Sequence, residues 1–148
     1  MSKPAAVSYT TTSKIRDRCL CLHVQRAARR LARRFDEALR PLGLTHGQFS
    51  LLNALNRPQP ARMGSVAMLL AMDRTTLTAA LKPLERRGLI SVTVDPEDRR
   101  SRILELTRRG RSALAAAVPV WTRTHAEVDR GLTEIEPNLL RQGLNKLS

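Results

Sequence analysis

Residues 65–89 read SVAMLLAMDRTTLTAALKPLERRGL, a pattern that predicts two helices joined by a tight turn. The first helix spans 65–70 with Ser65 as its cap, Ala71 and Met72 make the turn, and the second helix opens at Asp73 and closes at Gly88. Asp73 suits an N-cap because its carboxylate can accept from the backbone N–H of Thr75 or Thr76. Gly88 suits a left-handed stop. Leu77, Leu81 and Leu84, with Ala80 beside them, recur at three- and four-residue spacing and form one buried stripe. Pro83 removes the bond to the carbonyl of Ala79, so a bend is expected there, yet the apolar spacing continues through Leu84. The stripe leaves Arg74, Thr75, Thr76, Thr78 and Lys82 on or near the outer face. That surface is cationic and rich in hydrogen-bonding groups, as a helix needs if it is to enter the major groove and read base edges.

Beyond Gly88 the period changes. Ile90, Val92 and Val94 alternate, DPEDRRS turns at Pro96, and Ile103, Leu104 and Leu106 resume a strand that ends at Thr107. The tip of this hairpin carries Asp95, Glu97, Asp98, Arg99, Arg100 and Arg102. Helix, turn, helix and charged hairpin make a winged helix-turn-helix. The helical spacing alone is unspecific, since any two short helices give it, and the charged hairpin directly after it supplies the specificity. Arginines at a wing tip fit a neighbouring phosphate or the narrow minor groove, where negative potential is enhanced. A turn in which the three acids salt-bridge Arg99, Arg100 and Arg102 is the structural alternative, and the two are compatible.

Upstream, residues 1–13 are polar, rich in Ser and Thr, and contain Pro4, which predicts a flexible arm. Residues 14–39 predict one long helix with Leu20, Val24, Ala27, Ala28, Leu31, Phe35 and Leu39 on one face. Arg26, Arg30 and Arg33 lie on another, either as a solvated surface or as support for DNA binding. The helix ends near Pro41, and Thr45 with Gln48 forms a capping box for the next, which carries Phe49, Leu51, Leu52 and Leu55. Residues 57–62, RPQPAR, read as a loop. Downstream, 108–132 predict a second long helix through Leu114, Val118 and Trp121, with a bend allowed at Pro119. Pro137 starts a last amphipathic helix that carries Leu139, Leu140, Leu144 and Leu147.

Composition agrees. The chain has 148 residues, enough for one domain with a real core, and its 42% hydrophobic content with only 3% aromatics favours a mainly α protein with a small β-hairpin wing. A formal net charge of +13 favours a polyanionic partner, nucleic acid first and an anionic membrane surface second. No apolar run is long enough to span a bilayer and the first residues lack the apolar core of a secretory signal, so a cytoplasmic protein is expected. His23, His46 and His125 show no metal-ligand spacing, no glycine-rich phosphate loop is present, and no serine or cysteine nucleophile has an evident base. No enzyme, cofactor or metal is expected.

The runs LGLTHGQFSLLNAL (42–55), SVAMLLAMDRTTLTAALKPLERRGLI (65–90) and DPEDRRSRILELTRRG (95–110) resemble the MarR family of bacterial transcription regulators. The resemblance covers residues 14–147, and its most specific part is Asp98-Arg99-Arg100 followed by LELT and Gly110. It implies a homodimer whose terminal helices, 14–44 and 108–148, interlock around a winged helix-turn-helix at 45–107. It also implies an unknown small-molecule effector, bound between the dimerisation helices and the DNA-binding lobe, or an oxidant, that relieves repression. Arg74, Thr75, Thr76 and Thr78 would lie in the major groove of double-stranded DNA, Ser65 and Lys82 would contact phosphate, and Asp98 would hold Arg99 or Arg100 as the wing contact. The terminal helices are more apolar than a lone winged helix requires, which independently favours a two-fold dimer and a pseudo-palindromic operator with half-sites about 10 bp apart or a multiple of that. The rival reading is a non-specific architectural, nucleoid-associated protein; threonines at the start of a reading helix argue instead for base contacts.

Cys19 and Cys21 need separate readings, since side chains two apart on a helix diverge by roughly 200°. Cys21 shares the face of Val24 and Ala28 and is expected to be a buried small hydrophobe. Cys19 lies near Arg16, His23 and Arg26, a setting that favours thiolate. One branch of the MarR family senses organic peroxides through a cysteine on this first helix, near Cys21, which makes redox sensing a further alternative. This chain departs from that branch, with Gln25, Phe35 and His46 near the places where partner tyrosines usually stand.

Overall fold

The computed structural model describes residues 5–148, and the chain divides into two compact units, Met1–Arg34 and Phe35–Ser148. In the first unit, Ser8 accepts the N–H of Thr11 at 3.2 Å and starts helix α1, Tyr9–Arg18. Residues 9–13 are thus helical and not part of a flexible arm; a capping serine ahead of ten residues without Pro or Gly outweighs their polar composition. Residues 1–4 of the expected arm lie outside the described residues. The single helix expected over 14–39 is broken at Cys19, where the backbone leaves helical geometry at ψ 102°. The Cys19 N–H closes α1 on the Ile15 carbonyl at 2.8 Å, and its Sγ accepts the N–H of Leu22 at 3.4 Å, capping the first turn of α2, Leu20–Leu39.

The second unit starts in the last turns of α2, which bury Phe35 and Leu39. A 3-10 turn at Arg40–Leu42 holds Pro41, and Gly43 at φ 69° ends it. Helix α3, His46–Ala54, opens on the full capping box: Thr45 Oγ1 accepts the N–H of Gln48, and Gln48 Oε1 accepts the N–H of Thr45, both at 3.1 Å. His46 lies 5.1 Å from the Phe35 ring, and burial pushes its imidazole below the ordinary value against the pull of Asp36. The segment read as a loop over 57–62 ends in a short strand, β1, Ala61–Arg62, too brief to show a period of two. Helix α4, Met63–Leu69, begins earlier than expected, and Ser65 does not cap it. Arg62 occupies the cap position, and the Ser65 hydroxyl, one turn inside, donates to the Arg62 carbonyl at 2.9 Å.

Ala71 at φ 51° makes the turn into α5, Arg74–Arg86, which continues across Pro83 and is followed by Gly88 at φ 69°. Strands β2, Ile90–Val94, and β3, Arg102–Leu106, form the hairpin, and β1 adds to it in an antiparallel sheet of order β1-β3-β2, with Ala61 opposite Leu104 and Val92 opposite the same residue on the other side. Leu39, Leu52, Val66, Leu77, Leu84 and Leu104 are fully buried at the centre. Helix α6, Arg108–Gly131, crosses Pro119 without ending and stacks Trp121 on Phe49, ring centroids 6.0 Å apart. Helix α7, Pro137–Asn145, is capped by the Glu136 carboxylate and buries none of its residues. Among the described residues no helix is long and apolar enough to cross a membrane.

The winged helix closes at Thr107. Its hydroxyl donates to the Gly88 carbonyl at 2.6 Å and accepts the N–H of Gly110 at 3.1 Å, while its own N–H donates to the Leu89 carbonyl at 3.1 Å. Helix α6 comes so close here that a Cβ on Gly110 would overlap the Leu89 carbonyl oxygen. Gly110→Ala is therefore expected to destabilise the protein by about 1–3 kcal/mol, the range for overpacking. Urea unfolding at fixed protein concentration checks this, and an unchanged midpoint would contradict the close approach.

Candidate nucleic-acid interface

The outer face of α5 begins at a cap that ties down its first turn. Asp73 Oδ1 accepts the N–H of Thr76 at 2.8 Å, and Oδ2 accepts the Thr76 hydroxyl at 2.7 Å. These bonds, the backbone one first, hold the Asp73 carboxyl below its ordinary range. The Thr78 hydroxyl donates to the Arg74 carbonyl at 2.7 Å. The hydroxyl protons of Thr76 and Thr78 are thus committed within the protein. Toward a base edge each can accept from an exocyclic amine or pack its methyl on thymine, but it cannot donate. Thr75 is exposed and its hydroxyl makes no hydrogen bond among the described residues, so it can do either. Lys82 is exposed further along α5.

The structure brings this end of α5 to the wing. Arg74 Nη2 donates to the Arg100 carbonyl at 3.4 Å, across 26 residues of chain. Arg99 and Arg100 are exposed, and among the described residues no acid pairs with either side chain. The expected clasp between Asp98 and these arginines does not form. Asp98 Oδ1 instead accepts the backbone N–H of Arg100 at 3.0 Å, because a short carboxylate in a turn finds the N–H two residues on before it finds a long side chain. Arg102 is not at the tip: it opens β3 opposite Val94, half-buried, and its Nη1 donates to the carbonyls of Arg99 at 3.2 Å and Ser101 at 3.1 Å.

The other wing acids face Arg62, which lies in a stretch whose two prolines predict a loop. Arg62 Nη2 donates to Glu97 Oε2 at 2.6 Å, and Nε lies 3.3 Å from Asp95 Oδ2. Both acids raise the guanidinium pKa further, Glu97 through its hydrogen bond most of all. Ser65 is exposed beside this cluster and accepts from Arg57 Nη1 at 3.4 Å.

The cysteines belong to the other unit. Cys19 is half-buried, whereas Cys21 is exposed and not the buried hydrophobe expected, because the only residues α2 buries are Phe35 and Leu39 near its end. Its Sγ accepts from Gln25 Nε2 at 3.2 Å. Among the described residues no group of three or more His, Cys, Asp or Glu is placed to hold a metal ion.

Comparison with known proteins adds four findings. The model of the MarR family matches residues 44–101. The transcriptional activatory protein BadR of Rhodopseudomonas palustris is 35% identical over 95 residues, which are 62% of this chain and 54% of BadR, so the chain spans about half the length of that relative. Among solved structures, the M. tuberculosis transcriptional regulator MosR in complex with DNA is 38% identical with a TM-score of 0.80, over 87% of this chain and 92% of that one. The transcriptional repressor CouR bound to a 23-mer DNA duplex is 30% identical with a TM-score of 0.77, over 97% and 99% of the two chains.

The depressed Asp73 carboxyl sets a pH dependence. A carboxyl lowered on folding contributes stability that is present above its unfolded value and is lost as pH falls through the folded one. Asp73→Ala should therefore lower the melting temperature at neutral pH, and the gap to the unaltered protein should close as the medium is acidified below the ordinary carboxylate range. A gap that persists in acid would show that the carboxylate does not act as the cap.

Proposed function

The chain belongs to the MarR family of transcription regulators, and from that premise we propose that it is a sequence-specific DNA-binding regulator that acts as a homodimer on a pseudo-palindromic operator. The observation that carries this reading is the contact of Arg74 with the Arg100 carbonyl. It joins the exposed Thr75 and the unpaired Arg99 and Arg100 into one edge, in which base-reading and phosphate-binding groups sit side by side. Homodimerisation is supported by apolar side chains that the single chain leaves exposed: Tyr9, Ile15 and Leu20 near its start, and Leu139, Leu144 and Leu147 near its end. A second copy would bury them.

The finer parts of the proposal are repression, a cytoplasmic site of action beside its DNA, and release by a small-molecule effector. The effector favours a dimer whose two reading helices no longer match the half-site spacing. Ser65 and Lys82 serve as phosphate contacts, and Arg74, Thr75, Thr76 and Thr78 face the bases.

Fluorescence anisotropy with an operator selected from a random DNA pool, and with a scrambled duplex, tests the reading. The operator should bind at least about a thousandfold more tightly, with an affinity that falls steeply with salt. Thr75→Ala should relax preference at one position in each half-site and leave the salt slope unchanged. Arg99→Ala with Arg100→Ala should weaken both duplexes and reduce the slope by about one for each phosphate that is no longer neutralised. Equal affinity for the two duplexes would replace this reading with architectural binding.

A further inference from the structure

We propose that Arg62 is a positioning residue for DNA binding, which clamps the base of the wing through Asp95 and Glu97 and so leaves Arg99 and Arg100 unpaired at its tip. Such a role rests on the DNA-binding function proposed above. Arg62 lies outside the wing, in β1 and at the cap of α4, yet it reaches 35 residues along the chain to its shortest contact, Glu97 Oε2 at 2.6 Å. Asp95 is 1% exposed. Its Oδ1 accepts the N–H of Glu97 at 2.9 Å and its own N–H donates to the Ser101 carbonyl at 3.2 Å, so it closes the hairpin from inside. Its Oδ2 is buried without a hydrogen bond, and the opposing charge is Arg62 Nε at 3.3 Å. A buried carboxylate left without its cation is costly, so the loop from Asp95 to Ser101 depends on a guanidinium supplied from a different element.

The clamp also acts on the field that DNA meets. With Arg62 in place, both acids at the wing base face a cation within the protein. Without it, Asp95 and Glu97 become free to draw in Arg99 or Arg100 and to repel phosphate. Arg62 is itself 57% exposed at its side chain, so its pair with the exposed Glu97 is screened and contributes little to global stability. Its effect falls on where the wing stands and how positive its tip is.

The test uses the full chain and four forms: Arg62→Gln, Arg62→Lys, the pair Arg99→Ala/Arg100→Ala, and that pair combined with Arg62→Gln. Arg62→Gln should weaken binding to the selected operator about tenfold and lower the salt slope, by about one for each phosphate that the wing no longer neutralises. Combined with the wing pair it should add almost nothing, since it acts through those arginines. Arg62→Lys should recover only part of the loss, because a point charge does not span two carboxylates. Multiplying effects in the combined form would show that Arg62 touches DNA itself and would overturn the proposal, as would an Arg62→Gln protein with unchanged affinity and slope. Hydrogen exchange at the Glu97 and Ser101 amides reads the clamp without DNA. Faster exchange in Arg62→Gln supports it, and unchanged exchange overturns it even if operator recognition itself fails. If Arg62→Gln does not fold, Glu97→Gln, which removes the 2.6 Å ion pair at an exposed site, is read by hydrogen exchange alone: faster exchange at the Ser101 amide supports the clamp, and unchanged exchange overturns it.

Discussion

The second unit depends on the hydroxyl of Thr107. It takes the Gly110 N–H and gives its proton to the Gly88 carbonyl, so the start of α6 and the end of α5 share one oxygen atom. The leucines of the core supply the driving force, but apolar burial is non-directional and leaves the angle between elements open. The hydrogen bonds at the half-buried Thr107 and Gly88 and the buried Leu89 close that freedom, and leaving the Leu89 carbonyl unpaired would cost about 1–3 kcal/mol. Gly110 allows the approach that makes those bonds short. Helix α5 and the hairpin leave this junction in opposite directions along the chain, so it constrains their mutual orientation.

Charge is arranged with the same economy. The chain carries 13 acidic residues against 26 basic ones, and four of the acids near the proposed interface have internal partners. Asp73 meets the N–H and hydroxyl of Thr76, Asp98 meets the N–H of Arg100, and Asp95 and Glu97 meet Arg62. A carboxylate whose oxygens already accept donors repels a nearby phosphate less than a bare one. Arg99 and Arg100 at the tip keep their charge unneutralised, as does Lys82 on α5, among the described residues.

Features whose cause lies within about four residues were legible in the sequence. The capping box at Thr45 and Gln48, the cap at Asp73 and the stripe of Leu77, Leu81 and Leu84 all repeat a local rule, and the structure contains each of them; β2 forms where its alternation places a strand, but burial fades along it from Ile90 to the exposed Val94. What was hidden is non-local or chemically unusual. Arg62 meets acids more than thirty positions away, and two prolines just before β1 argue for loop. Ser65 has the side chain of a cap but sits one turn inside the helix, where it bonds back to Arg62. Cys19 breaks a helix with a thiol as acceptor, a role that serine or aspartate would have announced and cysteine does not.

The 3.4 Å contact from Arg74 to the Arg100 carbonyl bears on how such an interface recognises DNA. It is a long bond between exposed groups, weak enough to exchange for a partner on a base edge. An Arg74 that turns to the groove releases the wing tip, and an Arg100 drawn toward a phosphate pulls its carbonyl from Arg74. On the proposed reading, base reading by Arg74 and the wing contact of Arg100 would be coupled through this one bond. Their energies cannot add as if the two surfaces were separate. The clamp at Arg62 gives the wing a second attachment that binding need not disturb, so the tip can let go of Arg74 without losing its place.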